Sequence, residues 1–314
     1  MSAQRAGFVA IAGRPNAGKS TLLNRVVGGE VSIVTPKAQT TRERVLGILT
    51  EGDGQIVFVD TPGVHRARDG GINAYMVEEA RGALREVEAV WYLVEPRTEL
   101  EHELVVLELL KKVQAPIYMV MNKADLCERP PLSDKRIELF EQIAAAAEKM
   151  GVKFHLQASV SAKTGMGVAE LLQSTWTHMP ESPFFYEDPD QLSDRPVRYF
   201  VAEKVREQLL LRLGDEVPYS CAVEIESFDE QAEPPRIEAI IHVERESQKG
   251  IVIGKGAVKI KEIGQAARER IEDFLGGRVH LGLRVKVLTE WSKDPSRLER
   301  LGYVLPQKRK EARR

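Results

Sequence analysis

The stretch Gly13-Arg14-Pro15-Asn16-Ala17-Gly18-Lys19-Ser20 constrains this chain more than any other. It fits Gly-x-x-x-x-Gly-Lys-[Ser/Thr], a loop whose backbone N–H groups cradle the phosphates of a nucleotide. Its flanks suit such a loop. The apolar run Phe8–Ala12 predicts a buried strand entering it, and Thr21–Val27 predicts a helix leaving it with its N-terminus towards the anion. Gly13 and Gly18 permit backbone angles and a close approach that a Cβ would forbid. Lys19 is placed to neutralise β- and γ-phosphate charge, and the Ser20 hydroxyl to ligate Mg2+. A Gly-rich turn arising by chance is the bland reading, and the strand–loop–helix context argues against it.

A chain of 314 residues accommodates two domains of ordinary size. Its net charge of -2 conceals an asymmetry. From Arg245 to Arg314 there are 18 Lys/Arg against 9 Asp/Glu, whereas residues 1–244 carry 27 basic and 38 acidic side chains. A basic C-terminal third on an acidic body suggests a polyanionic partner for that third. Cys127 and Cys221 are far apart and fit no metal spacing, so free thiols in a reducing compartment are expected. The N-terminus has no apolar core of the signal-peptide kind, and no apolar run approaches the ~18 residues of a membrane span, so a cytoplasmic protein is expected.

After the first helix, Glu30–Val34 reads as a short extended piece leading into the polar segment Thr35-Pro36-Lys37-Ala38-Gln39-Thr40-Thr41-Arg42. Beside a phosphate loop, one threonine is wanted to complete Mg2+ coordination and to sense the γ-phosphate; Thr41 is favoured, with Thr40 the alternative. Strands Val45–Leu49 and Gln55–Val59 flank the turn-rich Glu51–Gly54 and read as a hairpin. The second delivers Asp60-Thr61-Pro62-Gly63-Val64. Asp60 suits Mg2+ held through water, and the Gly63 amide suits the γ-phosphate. Residues 64–71 read as mobile. Further strands at Val90–Val94, Pro116–Met121 and Phe154–Ser159 alternate with helices at Glu99–Val113 and Ser133–Met150. That alternation predicts an α/β domain with a mostly parallel sheet covered on both faces, and ligand loops at the strand C-termini.

Asn122-Lys123-Ala124-Asp125 decides the base. The Asp125 carboxylate can accept two hydrogen bonds from guanine N1–H and N2–H2, a donor pair that adenine lacks. Asn122 and Lys123 would brace the loop and cover the ring, and Ser161-Ala162-Lys163 would present a backbone N–H to guanine O6. Lys19, Thr41, Gly63 and Asn16 are the candidates for the chemical step.

This ordered set resembles the translation-factor class of GTPases. The details Gly-Arg-Pro-Asn-Ala-Gly-Lys-Ser, Lys-Ala-Gln-Thr-Thr-Arg and Asp-Thr-Pro-Gly-Val-His are similar to the Era family of ribosome-assembly GTPases in particular. Many GTPases place a water-orienting Gln where this chain has Val64, and the Era branch shares the hydrophobic replacement. In relatives of this branch an Asn in the phosphate loop helps hold K+, and Asn16 occupies the matching place. The resemblance therefore implies GTP/GDP, Mg2+ and K+ as ligands, with K+-stimulated hydrolysis and slow intrinsic turnover.

Pro180–Pro196, with four prolines and several acidic residues, reads as a linker. Beyond it the pattern is helix (Tyr199–Leu213), strands (Ser220–Phe228, Arg236–Glu244), a helix before Gly254, a helix to Leu275, and a strand (Val279–Leu288). Ile237, Ala239, Ile241 and Val243 share one strand face. A glycine-rich basic loop between two helices, backed by a sheet, is how KH domains clamp a nucleic-acid backbone with GxxG. The order is that of the prokaryotic (type II) KH fold, an α+β unit, and the segment resembles the C-terminal domain of the Era family. Ile253, Gly254, Lys255, Gly256 and Ala257 form the loop; Ala257 replaces its last glycine. Lys255, Lys259, Lys261, Arg268 and Arg270 would supply phosphate contacts. The expected division is a GTP-binding domain at 1–180, a linker at 181–197, a KH domain at 198–290 and a basic tail at 291–314, its end Lys308–Arg314 disordered.

Together these features predict a guanine-nucleotide switch coupled to an RNA-binding domain. The resemblance implies the 3′ end of 16S rRNA and the 30S subunit as partners, with peripheral association at the inner face of the cell membrane. A regulator whose second domain binds protein or membrane surface is the rival reading.

Overall fold

The apolar runs of the first half of the chain become adjacent strands of one sheet. The computed structural model describes residues 3–64, 71–126 and 132–304. The chain divides into two units: one built from most of the chain up to Asp194, the other from Arg195 onward together with Thr35–Thr40 and 71–75.

In chain order the first half contains β1 (Arg5–Gly13), α1 (Lys19–Val27), β2 (Val45–Glu51), β3 (Gly54–Asp60), α2 (Ile72–Ala83), β4 (Ala89–Val94), α3 (Leu100–Leu110), β5 (Ile117–Met121), α4 (Leu132–Lys149), β6 (Phe154–Ser159) and α5 (Val168–Trp176). Among the described residues the strands order as β2-β3-β1-β4-β5-β6, parallel throughout except for β2. Every residue of β4 is buried, as expected of an inner parallel strand covered on both faces. Tyr92 and Met119 join Ile143 and Val106 on one face of the sheet. Each such side chain contributes about 2 kcal/mol by leaving water. Crossover helices leave the C-terminal strand ends clear, and the loops after β1, β3, β5 and β6 gather there.

Two helices here have no counterpart in the sequence reading, α2 and α5. The α5 core residues Val168 and Leu171 are only three apart on a short helix beginning after left-handed Gly167, which leaves little period to read. The Glu30–Val34 segment forms no strand; the Asn24 side chain holds it as a loop, accepting from Val31 N–H and Ser32 N–H and donating to Ser32 O. Residues 65–70 lie outside the described residues, as do Cys127 and the Lys308–Arg314 tail.

The second unit contains α6 (Val197–Arg212), β7 (Ala222–Asp229), β8 (Arg236–Val243), α7 (Glu246–Ile253), α8 (Val258–Leu275), β9 (His280–Val287) and α9 (Pro295–Arg300). Its sheet orders β7-β8-β9, with β7 antiparallel and β9 parallel to β8. Ile237, Ile241 and Val243 of β8 pack with Val201, Val205 and Leu209 of α6 and with Ile263, Ala267 and Ile271 of α8. The apolar i, i+4 spacing of both helices faces the sheet, as the sequence pattern demands.

The segment after Val287 departs from the expected tail. Trp291 is fully buried against Ala222 and Leu298, and its indole N–H donates to Ser220 O at 2.8 Å. Asp294 caps α9 by accepting from Ser296 N–H and Arg297 N–H. Basic composition hid one tryptophan and one leucine with a place to bury.

Candidate nucleotide site and glycine loop

The loop after β1 has the backbone its glycines suggest. Gly13 has φ 150° and Gly18 φ 91°, and a Cβ on Gly18 would lie 2.2 Å from Asn122 Nδ2. Asn16, at φ 65°, is the loop's one side-chain-bearing residue in the left-handed region, which Asn tolerates. Lys19 opens α1 and is 5% exposed; its Nζ donates to Gly13 O (3.2 Å) and Arg14 O (2.8 Å). Burial pushes its pKa down to about 8, against the opposing pull of the Asp60 and Glu103 carboxylates. That ammonium sits where phosphate charge would restore it.

Ser20, Thr41 and Asp60 come together. Ser20 Oγ donates to Asp60 Oδ2 at 2.7 Å and lies 2.9 Å from Thr41 Oγ1, and Ser32 Oγ donates to the same Asp60 oxygen at 3.0 Å. Asp60 is fully buried, and its Oδ1 has no hydrogen-bond partner. Burial raises its pKa, opposed by Lys19 and the neighbouring hydroxyls. A buried carboxylate with one oxygen unmatched, beside three hydroxyls, is a hard-oxygen set suited to Mg2+. The Thr40 hydroxyl instead turns into its own loop, towards Thr35 Oγ1 (2.7 Å) and Lys37 O (2.8 Å).

Gly63 passes close to the phosphate loop, since a Cβ there would stand 2.5 Å from Pro15 N. Val64 N–H donates to Gly13 O at 3.0 Å, while its side chain, 2% exposed, packs in the core with Ala10, Ala12 and Tyr92. Thr61 is spent structurally, donating to Ile11 O at 2.9 Å. Of the Asp60–Val64 stretch, the Asp60 carboxylate and the Gly63 main chain therefore face the site.

On the base side, Asn122 ties three loops: its Nδ2 donates to Ala17 O (2.8 Å) and its Oδ1 accepts from Ala162 N–H (2.9 Å). Ser161 Oγ donates to Asp125 Oδ1 at 2.6 Å, aligning the carboxylate. Lys123 pairs with Glu95 after β4. Arg25 of α1 reaches across to Ala162 O and Lys163 O and holds the last loop. The sequence reading missed Arg25 and Glu95, because neither belongs to a motif. It also missed Glu103 of α3, whose signal was present: a charged residue on the apolar stripe Leu100, Glu103, Leu107, Leu110.

The second unit's loop between α7 and α8 keeps a glycine-type backbone. Gly254 has φ 72° and ψ 165°, and Gly256 and Ala257 are both left-handed, at φ 62° and 61°. Ala257 thus adopts the conformation a glycine would hold, and its N–H donates to Gly254 O at 3.0 Å. A Cβ on Gly254 would lie 2.7 Å from Lys259 Cβ. Lys255 and Lys261 are exposed; Lys259 pairs with Glu262 at 2.7 Å. Exposed Ile251 (50%) and Val258 (57%) flank the loop. Arg268 and Arg270, also expected to contact phosphate, lie farther along the helix. They sit more than two turns along α8 and face Glu272 (3.8 Å) and Glu207 (3.4 Å).

Comparison with known proteins gives this geometry a family. Residues 8–123 match the model described as "50S ribosome-binding GTPase", and residues 216–292 match the KH domain. The chain is 39% identical to GTPase Era of Staphylococcus haemolyticus over 98% of its length and all of the relative's. Among solved structures it is similar to a variant of Aquifex aeolicus Era bound to GDP and AlF4- (34% identity, TM-score 0.87, 96% of this chain and all of that one). It is similar to the same degree to Era in complex with MgGDPNP and nucleotides 1506–1542 of 16S ribosomal RNA (35% identity, TM-score 0.87, the same coverage).

Proposed function

Because the chain belongs to the Era family of GTPases, we propose that it is a GTP-hydrolysing switch whose second unit binds the 3′ end of 16S rRNA in assembly of the 30S subunit. A P-loop GTPase domain followed by a KH domain is its architecture, and it hydrolyses GTP to GDP and phosphate. The observation that carries the nucleotide reading is the convergence on one end of the sheet of Lys19, the Ser20–Thr41–Asp60 set and the Asn122–Asp125–Ser161 set. The rRNA reading is supported by the relative solved with nucleotides 1506–1542 of that RNA.

In this reading the loop amides and Lys19 bind the β- and γ-phosphates, and phosphate charge raises the pKa of the lysine again and keeps it charged. Ser20, Thr41 and Asp60 hold Mg2+, Asp60 through water; when bound, the ion neutralises charge developing on the phosphates. Gly63 gives its amide to the γ-phosphate, and its lack of a side chain lets that approach happen. Asp125 reads guanine, its orientation set by Ser161, while Asn122 keeps the base loop and phosphate loop in register. Asn16 is exposed at the loop, and its amide oxygen is the hard oxygen that would be offered to K+. Val64, packed inside, orients no water, so that task falls to a group other than this side chain.

Lys255, Lys259 and Lys261 supply phosphate contacts at the Gly254–Ala257 loop, and Ile251 and Val258 offer apolar faces to splayed bases. The basic C-terminal third would also carry peripheral association with anionic lipid at the inner membrane face; among the described residues no helix is long and apolar enough to cross a membrane. The deciding measurement is GTP turnover and binding with and without an oligonucleotide of the 16S rRNA 3′ end. Tight, salt-dependent binding is expected, and equal affinity for an unrelated RNA of the same length would discard the rRNA reading. Equal turnover in Na+ and K+ buffers would remove Asn16 from a K+ site.

A further inference from the structure

A buried carboxylate braces the phosphate loop from another helix. Glu103 of α3 is 1% exposed, and both its oxygens are committed: Oε2 accepts from Tyr92 Oη at 2.7 Å, and Oε1 from Thr98 Oγ1 at 2.8 Å. Thr98 Oγ1 in turn accepts from Arg14 Nη1 at 3.1 Å, linking residues 84 apart in sequence. Arg14 O receives the Lys19 ammonium. The chain of bonds thus runs from β4 and α3 through Arg14 to the lysine that meets phosphate.

The polarity of this chain follows from donor counting. A threonine hydroxyl has one proton and two lone pairs. Glu103, an acceptor when ionised, takes that proton, so the lone pairs of Thr98 are turned to the guanidinium. Without the carboxylate the hydroxyl can rotate, and the Arg14 contact loses its fixed acceptor. Stability alone does not call for an acid here, since position 103 lies on the apolar stripe of α3 and a buried carboxylate carries a desolvation cost. Burial indeed raises the Glu103 pKa, with the Tyr92 and Thr98 bonds and the Arg14 and Lys19 charges opposing.

We propose that Glu103 is a positioning residue of the GTP site, acting through the Thr98 hydroxyl to hold Arg14 and thereby the phosphate loop in its binding conformation. This rests on the reading of Gly13–Ser20 as the GTP-phosphate site. The test measures binding of fluorescent GDP and of a non-hydrolysable GTP analogue, kcat and KM for Mg-GTP, and the nucleotide-free thermal midpoint of the full chain. Thr98→Val removes the acceptor for Arg14 and should raise Kd and KM about fivefold, with kcat within about twofold. Thr98→Ser restores both. Glu103→Gln, which keeps an oxygen for Thr98, should lose less than Glu103→Ala. In an Arg14→Ala background Thr98→Val should cost less than about twofold, because its partner is already gone. Since Glu103→Ala leaves a cavity, Thr98→Val decides: unchanged Kd and KM, or a loss that simply adds to that of Arg14→Ala, overturns the proposal. Failure of the wild-type chain to bind either nucleotide would instead overturn the phosphate-site reading beneath it.

Discussion

The two glycine loops that the sequence singled out, each leading into a helix, are held in opposite ways. The Gly13–Ser20 loop is wired from outside itself: Thr98, Asn122 and Val64 reach it from three separate segments, and Lys19 is buried within it. The Gly254–Ala257 loop is shaped chiefly by its own backbone angles, and Lys255 and Gly256 stand in solvent. The first trades desolvation of charge for a preorganised cradle that suits one small ligand. The second keeps its charges hydrated and works through long-range attraction, which suits a flexible polyanion. Substitutions in the first should therefore act steeply and at one point, and those in the second gradually and additively.

The steepest effect is expected from Lys19→Met, which should lower kcat/KM for GTP by at least about a hundredfold. The same substitution should stabilise the nucleotide-free protein, because burial disfavours the Lys19 ammonium. With the folded-state pKa lowered from 10.5 to about 8, the folded state carries the whole penalty below pH 8. Between those values the unfolded chain binds more protons than the folded one, so wild-type stability rises with pH there. Thermal melts across pH 7–10.5 should show the gap between Lys19→Met and wild type closing as pH rises, and a constant gap would deny that Lys19 is strained by burial. Asp125→Asn comes next. It should weaken GTP about a hundredfold and favour XTP, from two charge-assisted hydrogen bonds lost; competition binding with ATP, GTP and XTP reads it out.

On the other side of the comparison, Lys255→Glu with Lys259→Glu should weaken RNA binding about tenfold and reduce the salt slope by about 2, leaving RNA-free GTP turnover unchanged. A titration with an unaltered salt slope would remove this loop from the interface. The smallest effect belongs to Ala257→Gly. A left-handed alanine costs about 1 kcal/mol, and the added chain entropy of glycine offsets part of that gain. A rise of about 1 °C in the thermal midpoint is expected. A fall would mean that the Ala257 methyl packs usefully at φ 61°.

Much of the nucleotide site was legible because its chemistry is written in short stretches of contiguous chain. Gly13, Gly18, Lys19 and Ser20 needed only a strand before them and a helix after, and both are there. Asp125 declared guanine because a carboxylate is the acceptor that matches its paired donors. The order of the nine strands among the described residues followed from apolar runs, though α2 and α5 did not, and the Ile237–Val243 face lies inward as its alternation requires.

Other features came into being only when distant segments met. Thr40 and Thr41 are adjacent and chemically identical, and the fold alone turns the Thr41 hydroxyl to Ser20 and the Thr40 hydroxyl to Lys37 O. Trp291 and Leu298 looked like part of a charged tail until Ala222 gave them a place to bury. Arg270 meets Glu207, 63 residues away in sequence, a pairing that no local pattern announces. The sequence by itself determined the ligand class, a guanine nucleotide, and nominated the groups proposed to meet it, since those choices depend on residue type and local backbone. Only the tertiary structure decided how the groups are aimed, as with Glu103 acting on Arg14 through Thr98. Aim is set by hydrogen bonds between residues tens of positions apart, and no local pattern encodes them.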